Sequence, residues 1–241
     1  GGGHDRSDRY MARDFGQNYL MSLQESGNPI IYTNGDNDTF PLWYNQETEG
    51  CRTDARTCNL SYLQTDWYID QMKRPAYDSP SLPITWERME YVEGTNEYVP
   101  VRPEYKKSLD ALYAEAKKQA LNGNNEVLIN VQKEFGDNPY ELKNILKYWV
   151  RGKNEELKVI PTDSIVIKVD KEAVRRSGML IPGDSIPDYM HISLKGKRAL
   201  YKSELMMLEM LSEANWERPI YIAISVGEDN QLGMANHFVQ E

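Results

Sequence analysis

The chain has 241 residues, of which 40% are hydrophobic and 27% are charged, so it can fill a packed core and is neither disordered nor fibrous. Its 28 basic and 37 acidic side chains give a net charge of −9, which argues against a nucleic-acid partner because phosphate binding needs a clustered positive face. No apolar run approaches the roughly 20 residues that span a bilayer, so this chain is expected not to cross a membrane.

The first third of the chain alternates helices with short strands. A helix is predicted over about 7–26, and it leads into an uninterrupted apolar strand over 29–33, which is typical of strands buried on both faces of a parallel sheet. A helix over 39–50, a strand over 56–63 and a helix over about 65–73 follow. Short connections between alternating strands and helices predict right-handed parallel crossover units.

The middle of the chain is predicted to leave this pattern as a mainly helical insertion over about 77–161, within a single domain that spans 1–241. Residues 75–103 are rich in Pro, Tyr, Glu and Thr, which predicts an irregular segment with one hairpin across 90–101. Two amphipathic helices follow it, and apolar periodicity places them over about 105–120 and 142–150.

The last third of the chain returns to strands and helices. Alternation of apolar and polar residues predicts an antiparallel strand pair around 165–169 and 190–194. A helix over 203–214 is apolar nearly all round, and an apolar strand follows over 219–225. The predicted fold class is therefore α/β, with a Rossmann-like, mostly parallel central sheet flanked by helices, a helical insertion and an antiparallel strand pair.

Acidic and amide residues follow each of the three apolar strands, and tryptophans stand at the adjoining helix starts. If the strands are parallel neighbours, these loops meet at the carboxyl edge of one sheet, where open α/β folds bind ligands. Carboxylates can bind hydroxyl groups or a cation, while tryptophan rings can stack on flat apolar faces. The predicted ligand-binding residues are Asp36, Asn37, Asp38, Trp43, Asp66, Trp67, Glu228 and Asp229.

Asp36 and Asp38 are the sharpest feature of this edge, and several interpretations stay open. Two carboxylates one residue apart can bind a divalent cation or orient a hydroxyl group, but an Asx turn with a helix cap uses the same residues without a ligand. A metal-binding Asp-x-Asp of nucleotide-sugar transferases also fits. An aspartyl-phosphate phosphatase fits less well, because Phe40 stands where its threonine is expected. A divalent cation is thus the one cofactor considered, and no catalytic residue is assigned.

Other reactive side chains form no recognisable site. The three histidines, His4, His191 and His237, lack the spacing of metal ligands, and no serine or cysteine has an evident neighbouring base. Cys51 and Cys58 are expected to be free thiols rather than a disulfide, because Cys58 falls within an apolar run where a small thiol packs well. Hydrolytic triads are therefore not supported.

The stretch GDNDTFPLWYNQETEG, continued by NLSYLQTDWYIDQMK, resembles the extramembrane part of a large bacterial membrane-protein family of unknown function. That family is classed with protein O-mannosyltransferase-like enzymes as glycosyltransferase family 117. The opening HDRSDRYMARDFGQNYL and the late KSELMMLEMLSEANWERPIYIAISV resemble the same family. The resemblance implies a membrane-spanning part that precedes this one in the natural chain, a periplasmic location tethered to the inner membrane, and a lipid-linked sugar donor. It also implies that the catalytic acid lies in the spanning part, so that this portion is expected to be non-catalytic.

The expected function is that of a soluble portion of a glycosyltransferase-like membrane protein, which binds an acceptor polypeptide or glycan at the carboxyl edge of its sheet. One alternative is metal-assisted glycosyl or phosphoryl transfer through Asp36 and Asp38. Another is a non-catalytic assembly domain whose acids only cap helices. The expected partners are the acceptor and the membrane-spanning part of the same natural chain, and nucleic acid is not among them.

Overall fold

The structure is a computed structural model that describes residues 27–35, 50–176 and 186–222, together with Thr39, Leu42, Gln46 and Glu47. The strands in these residues are β1 (Ile30–Thr33), β2 (Arg56–Asn59), β3 (Tyr98–Pro100), β4 (Ser164–Lys168), β5 (Tyr189–Ser193), β6 (Ala199–Tyr201) and β7 (Ile220–Ile222). The α-helices are α1 (Asp66–Met72), α2 (Arg88–Tyr91), α3 (Tyr105–Leu121), α4 (Glu126–Phe135), α5 (Leu142–Asn144), α6 (Lys171–Arg176) and α7 (Lys202–Ala214). A π-helical segment, Ile145–Val150, continues α5, and Glu155–Leu157 forms a 3-10 turn.

The central sheet consists of three parallel strands in the order β2-β1-β7. Ile30 lies opposite Arg56 on one side and Ile220 on the other, so the first strand is the middle one. All four residues of β1 are buried, which an apolar run allows because side chains of successive residues point to opposite faces. The predicted α/β class and the parallel arrangement of these three strands are therefore confirmed, and the carboxyl ends of the strands share one edge.

Strand β2 ends four residues earlier than predicted, because the chain turns at Asn59. The Asn59 Oδ1 atom accepts the backbone N–H groups of Ser61 (2.9 Å) and Tyr62 (3.3 Å), which bends the chain in an Asx-type turn. Residues 60–64 then cross the carboxyl edge of the sheet before α1 begins at Asp66. The turn places Gln64 at the edge on which the predicted site depends.

The hairpin predicted across 90–101 is wrong. Strand β3 pairs in antiparallel register with β6, so that Tyr98 lies opposite Tyr201 and Val99 opposite Leu200. The partner strand is far along the chain, and a pattern of alternating residues does not identify its partner. The antiparallel pair predicted later in the chain is confirmed as β4 and β5, with Ile165 opposite Ile192.

Helices α3, α4 and the π-helical segment pack around an apolar cluster of their own. Its buried members are Leu109, Tyr113, Ala116, Val131, Phe135 and Trp149. Helix α3 agrees with its prediction, α4 was not predicted, and the helix predicted over 142–150 is α-helical only in its first residues. The division of the chain into one domain with an insertion over 77–161 stays a prediction.

The π-helical segment Ile145–Val150 ends in a hydrogen bond of π-helical spacing. The Arg151 N–H donates to the Leu146 carbonyl at 2.9 Å, a hydrogen bond that spans five residues. A Cβ atom at Gly152 would lie 2.4 Å from the Tyr148 carbonyl oxygen, so that a side chain there would collide with the wide turn. Glycine at this position is therefore required by the close approach of the backbone.

Helix α7 lies in the core, as its apolar sequence predicted. Leu205, Met206, Leu208 and Met210 are almost fully buried in the cluster that also contains the central sheet. None of the helices in the described ranges has the length and apolar character needed to cross a bilayer. The helix predicted over 7–26 lies outside the described residues, whereas the described residues of the helix predicted over 39–50 are helical up to Glu47.

Candidate functional site

The structure describes two of the eight residues predicted to bind a ligand, Asp66 and Trp67. The remaining six, which lie outside the described residues, are Asp36, Asn37, Asp38, Trp43, Glu228 and Asp229. The site they were predicted to form, and the divalent cation considered for it, therefore stay predictions.

A groove of about 570 Å³ opens at the carboxyl edge of the central sheet, and we call it the edge groove. One side is formed where the chain leaves β1 and β2, and there the Ser61 hydroxyl donates to Asn34 Oδ1 at 3.1 Å. The other side is formed by the β3–β6 pair and the first turn of α7. The exits of two parallel strands thus meet at one concave surface, which is where ligands bind in open α/β sheets.

Gln64 ties together three chain segments at the base of the edge groove. Its Nε2 atom donates to the backbone carbonyl of Glu97 at 3.0 Å and to Glu97 Oε2 at 3.3 Å. Its Oε1 atom accepts the backbone N–H of Ser203 at 2.9 Å. One amide side chain therefore connects the β2–α1 loop, the segment before β3 and the start of α7.

Glu97 is held in an ionised state by a buried lysine. The Lys202 side chain is fully buried, and its Nζ atom donates to Glu97 Oε1 at 2.5 Å and to the Tyr91 carbonyl at 2.8 Å. This hydrogen bond holds the pKa of Glu97 below its usual range, and the Gly94 N–H adds to the effect. A carboxylate that stays ionised offers the groove a permanent hydrogen-bond acceptor.

Glu204, the second carboxylate of the edge groove, also has a lysine partner. Its Oε2 atom accepts Lys197 Nζ at 2.9 Å, and its Oε1 atom accepts the backbone N–H of Tyr201 at 3.0 Å at the start of α7. Each acid of the groove is thus paired with one base. The groove therefore carries no large net charge and does not require a charged ligand.

Aromatic side chains stand exposed at this surface. Tyr98 and Tyr201 are direct cross-strand neighbours, and 60% and 59% of these residues remain exposed. Tyr62, before α1, and Trp67, in its first turn, are outside the described lining of the groove; their ring centroids are 5.7 Å apart, and the residues are 42% and 55% exposed. Such rings present flat apolar surfaces with polar tips, which is the surface that ligands with apolar and hydroxylated faces use.

Asp66 takes part in the local structure beside the groove rather than in its lining. Its Oδ2 atom accepts the backbone N–H of Glu93 at 3.0 Å and lies 3.7 Å from an Arg88 Nη2 atom. The hydrogen bond from Glu93 lowers the pKa of Asp66. The carboxylate therefore joins the first turn of α1 to the segment after α2, and its predicted contact with a ligand stays a prediction.

None of the nine described residues that line the edge groove was among the eight predicted ligand-binding residues, and Glu97, Tyr98 and Tyr201 are the most important of those missed. Alternation in the two short strands indicates that both tyrosines are exposed, but only the pairing of β3 with β6 brings them together. In the described part of the chain, no group of three or more His, Cys, Asp or Glu side chains is placed to hold a metal ion. Cys51 and Cys58 are free thiols in the structure.

Comparison with known proteins places the chain in a family. No curated protein and no solved structure matches it. Residues 12–241 match the family described as TMEM260-associated domain 2. Because this match covers nearly the whole chain, the protein belongs to the TMEM260-associated domain 2 family.

Proposed function

We propose that this chain is the soluble extramembrane portion of a glycosyltransferase-like membrane protein, and that its edge groove binds an acceptor polypeptide or glycan. Membership of a TMEM260-associated family supports the general assignment, since TMEM260 is protein O-mannosyltransferase-like. The narrower parts of the proposal rest on the sequence resemblance. They are glycosyltransferase family 117, a Rossmann-like sheet, a bacterial periplasmic location, and a membrane-spanning part of the same natural chain as a partner.

The observation that carries the proposal is the exposed pair of Tyr98 and Tyr201 beside a charge-compensated groove. Sugars and extended polypeptides both combine apolar faces with hydroxyl or amide groups, and aromatic rings next to fixed hydrogen-bond acceptors suit that combination. Glu97, kept ionised by Lys202, supplies such an acceptor. The groove is thus suited to hold an uncharged, hydroxyl-rich or amide-rich ligand.

The proposal assigns no bond chemistry to the edge groove. A general acid that works near neutral pH needs a raised pKa, whereas the pKa of Glu97 is lowered by its hydrogen bond from Lys202. The two oxygens of Glu204 already accept hydrogen bonds from Lys197 and from the backbone of Tyr201. Glu97 therefore acts as a hydrogen-bond acceptor that orients a ligand, which agrees with a portion that positions an acceptor.

Titration of the 241-residue chain with mannose oligosaccharides and with unstructured serine- and threonine-rich peptides tests the proposal. We expect saturable binding of one of these probes by calorimetry, and an affinity at least tenfold lower in Tyr98→Ala or Tyr201→Ala, since exposed aromatic contacts dominate such interfaces. Tyr189→Ala is the matched control, because Tyr189 is an equally exposed tyrosine on the separate β4–β5 pair. Equal affinities in Tyr98→Ala and Tyr189→Ala would refute the assignment to this groove.

The same titration separates the alternatives. Saturable binding of Mg²⁺ or Mn²⁺ that is lost in Asp36→Ala would favour metal-assisted transfer through Asp36 and Asp38 instead. Failure of every sugar, peptide and cation to bind saturably would leave the non-catalytic assembly domain as the remaining interpretation.

A further inference from the structure

A second cleft, of about 470 Å³, lies between the α5–π segment and α7, and we call it the helix cleft. Among the residues that the structure describes, the two sites have no lining residue in common, although both include residues of α7. Basic side chains come from the α5–π segment and the residue that follows it, whereas acidic or hydroxyl side chains come from α7 and from Glu90 of α2. Its described polar lining residues are Glu90, Lys143, Lys147, Arg151, Glu209, Ser212 and Glu213.

The basic wall follows from the spacing of its residues. Lys143, Lys147 and Arg151 are four residues apart, and residues at this spacing lie on one face of a helix. All three bases consequently line the same cleft.

Arg151 closes one end of this wall and is already satisfied. It binds Glu90 in a bidentate manner, with Nε to Oε1 at 2.9 Å and Nη2 to Oε2 at 3.0 Å, and its Nη1 atom donates to Thr85 Oγ1 at 2.9 Å. Lys143 and Lys147, in contrast, have no acidic partner within 4 Å among the residues that the structure describes. Lys147 Nζ lies over the Tyr148 ring, 5.1 Å from its centroid, and Lys143 interacts electrostatically with Glu141. Neither ammonium group is held in an ion pair, so both remain available to an anionic group in the cleft.

The opposite wall contains polar side chains with unused hydrogen-bonding capacity. Glu209 is 1% exposed, and only its Oε2 atom is engaged, by the backbone N–H and the hydroxyl of Thr85 at 2.7 Å each. Within the described ranges, neither Glu209 Oε1 nor the Ser212 hydroxyl has a hydrogen-bond partner, and neither belongs to the fully buried unpaired atoms, which are the indole nitrogens of Trp86 and Trp149. Both atoms can therefore be reached from the cleft that their residues line, and they are available to a ligand there.

We infer that the helix cleft binds a small zwitterion, whose primary ammonium group lies against Glu209 and Ser212 and whose anionic group lies against Lys143 and Lys147. A simple anion would be attracted by the lysines but repelled by Glu209 and the exposed Glu213. A simple cation would be attracted by Glu209 and Glu213 but repelled by the lysines. A molecule that carries both charges a few bonds apart satisfies both walls, and the cleft volume falls in the range of small-molecule sites.

The electrostatics of Glu209 agree with an ammonium ligand. Burial raises the pKa of Glu209 above its usual value, although the hydrogen bonds from Thr85 oppose this shift. Glu213, one turn further along α7, adds to the increase by repulsion between like charges. A bound ammonium group would relieve both effects by pairing with the ionised carboxylate.

Two zwitterions carry the required chemistry and represent different sources: glycylglycine, with a carboxylate, stands for peptides and amino acids, and phosphoethanolamine stands for lipid headgroups. Calorimetry on the 241-residue chain should show saturable binding of at least one of them. Acetate, inorganic phosphate and ethanolamine each carry one half of the charge pattern, and we expect them to bind at least tenfold more weakly. The zwitterion that binds more tightly shows whether the cleft takes peptides and amino acids or lipid headgroups.

Lys147→Gln and Glu213→Gln test the location of the site, because both residues are exposed and their replacement leaves the core intact. We expect each to weaken zwitterion binding at least fivefold, whereas Lys195→Gln, an exposed lysine away from the cleft, should leave it unchanged. Equal binding by inorganic phosphate and phosphoethanolamine, unchanged binding in Lys147→Gln and Glu213→Gln, or no saturable binding of either zwitterion would each overturn the inference. Binding at the edge groove is measured with other probes and variants, so the two proposals fail independently.

Discussion

Replacing Lys202 by methionine should destabilise the protein by about 3 kcal/mol, because it removes a buried ammonium group while keeping most of the apolar stem. The Lys202 Nζ atom donates to Glu97 Oε1 at 2.5 Å and to the Tyr91 carbonyl at 2.8 Å, with a longer contact of 3.5 Å to the Val92 carbonyl. Hydrogen bonds that involve a charged group each contribute roughly 1.5–3 kcal/mol. Two strong ones therefore contribute about 3–6 kcal/mol, from which the desolvation of the buried ammonium is subtracted.

Urea unfolding followed by far-ultraviolet circular dichroism at pH 7 measures this loss. For a chain of this size, 3 kcal/mol corresponds to a fall of about 6–12 °C in the thermal midpoint. Lys195→Met is the matched control, since Lys195 is exposed and surface substitutions of this kind change the free energy of unfolding by less than about 0.5 kcal/mol.

A loss below about 1 kcal/mol in Lys202→Met would refute the reasoning, because it would mean that desolvation cancels the hydrogen bonds of Lys202. A double-mutant cycle with Glu97→Gln tests whether the loss of stability in Lys202→Met arises from the Lys202–Glu97 pair. If the pair accounts for the loss, the two substitutions together cost less than the sum of the separate ones.

Three further outcomes follow from the same contacts. Lys202 lowers the pKa of Glu97 below the usual 4.5 of a glutamate, so the stability that this carboxylate contributes is present above that pH and is lost as the pH falls through the folded-state pKa. The urea midpoint of Glu97→Gln should therefore fall less than that of the wild type on acidification below pH 4.5. Gly152→Ala should cost about 1–3 kcal/mol by the same assay, because its Cβ atom collides with a backbone oxygen of the π-helical segment. Trp86→Ala should cost about 3–5 kcal/mol because Trp86 is fully buried, whereas Trp67→Ala, with more than half of the residue exposed, should cost far less.

Each of these outcomes has a clear contrary result. Parallel acid profiles for Glu97→Gln and the wild type would show that the Glu97–Lys202 pair does not contribute to acid sensitivity. A neutral Gly152→Ala would show that the π-helical turn can relax. Similar losses for the two tryptophan variants would show that Trp67 is part of the core and not available for a ligand.

The parallel sheet could be predicted because its strands carry their own signal. Residues of β1 are all apolar or β-branched, and a strand with no polar face has to be covered on both sides. Helix α3 could be predicted for a related reason, since its apolar residues recur with the period of one helix face and Asn122 and Gly123 end it. These are local properties of the chain.

What could not be predicted depends on contacts between distant segments. Nothing near Tyr98 indicates that its neighbour is Tyr201, and nothing near Gln64 indicates that it accepts the N–H of Ser203. Asp66 shows a second limit, since residue type marks it as a possible ligand-binding carboxylate but does not show that it accepts the backbone N–H of Glu93. The residue types at a sheet edge indicate which side chains could bind a ligand. Contacts between distant segments determine which of those side chains remain free to do so.

The pairing of β1 with β7 has a consequence for how this protein is made. The two strands are roughly 190 residues apart, and the Arg218 side chain just before β7 also binds the backbone carbonyl of Asn28 at 2.6 Å. A ribosome therefore releases the middle strand of the sheet long before its second neighbour exists, and one side of that apolar strand has to wait without its hydrogen-bond partners. The sheet can be completed only after β7 has been synthesised, and a nascent chain halted before Pro219 leaves one edge of β1 unpaired and able to bind a chaperone or a neighbouring chain.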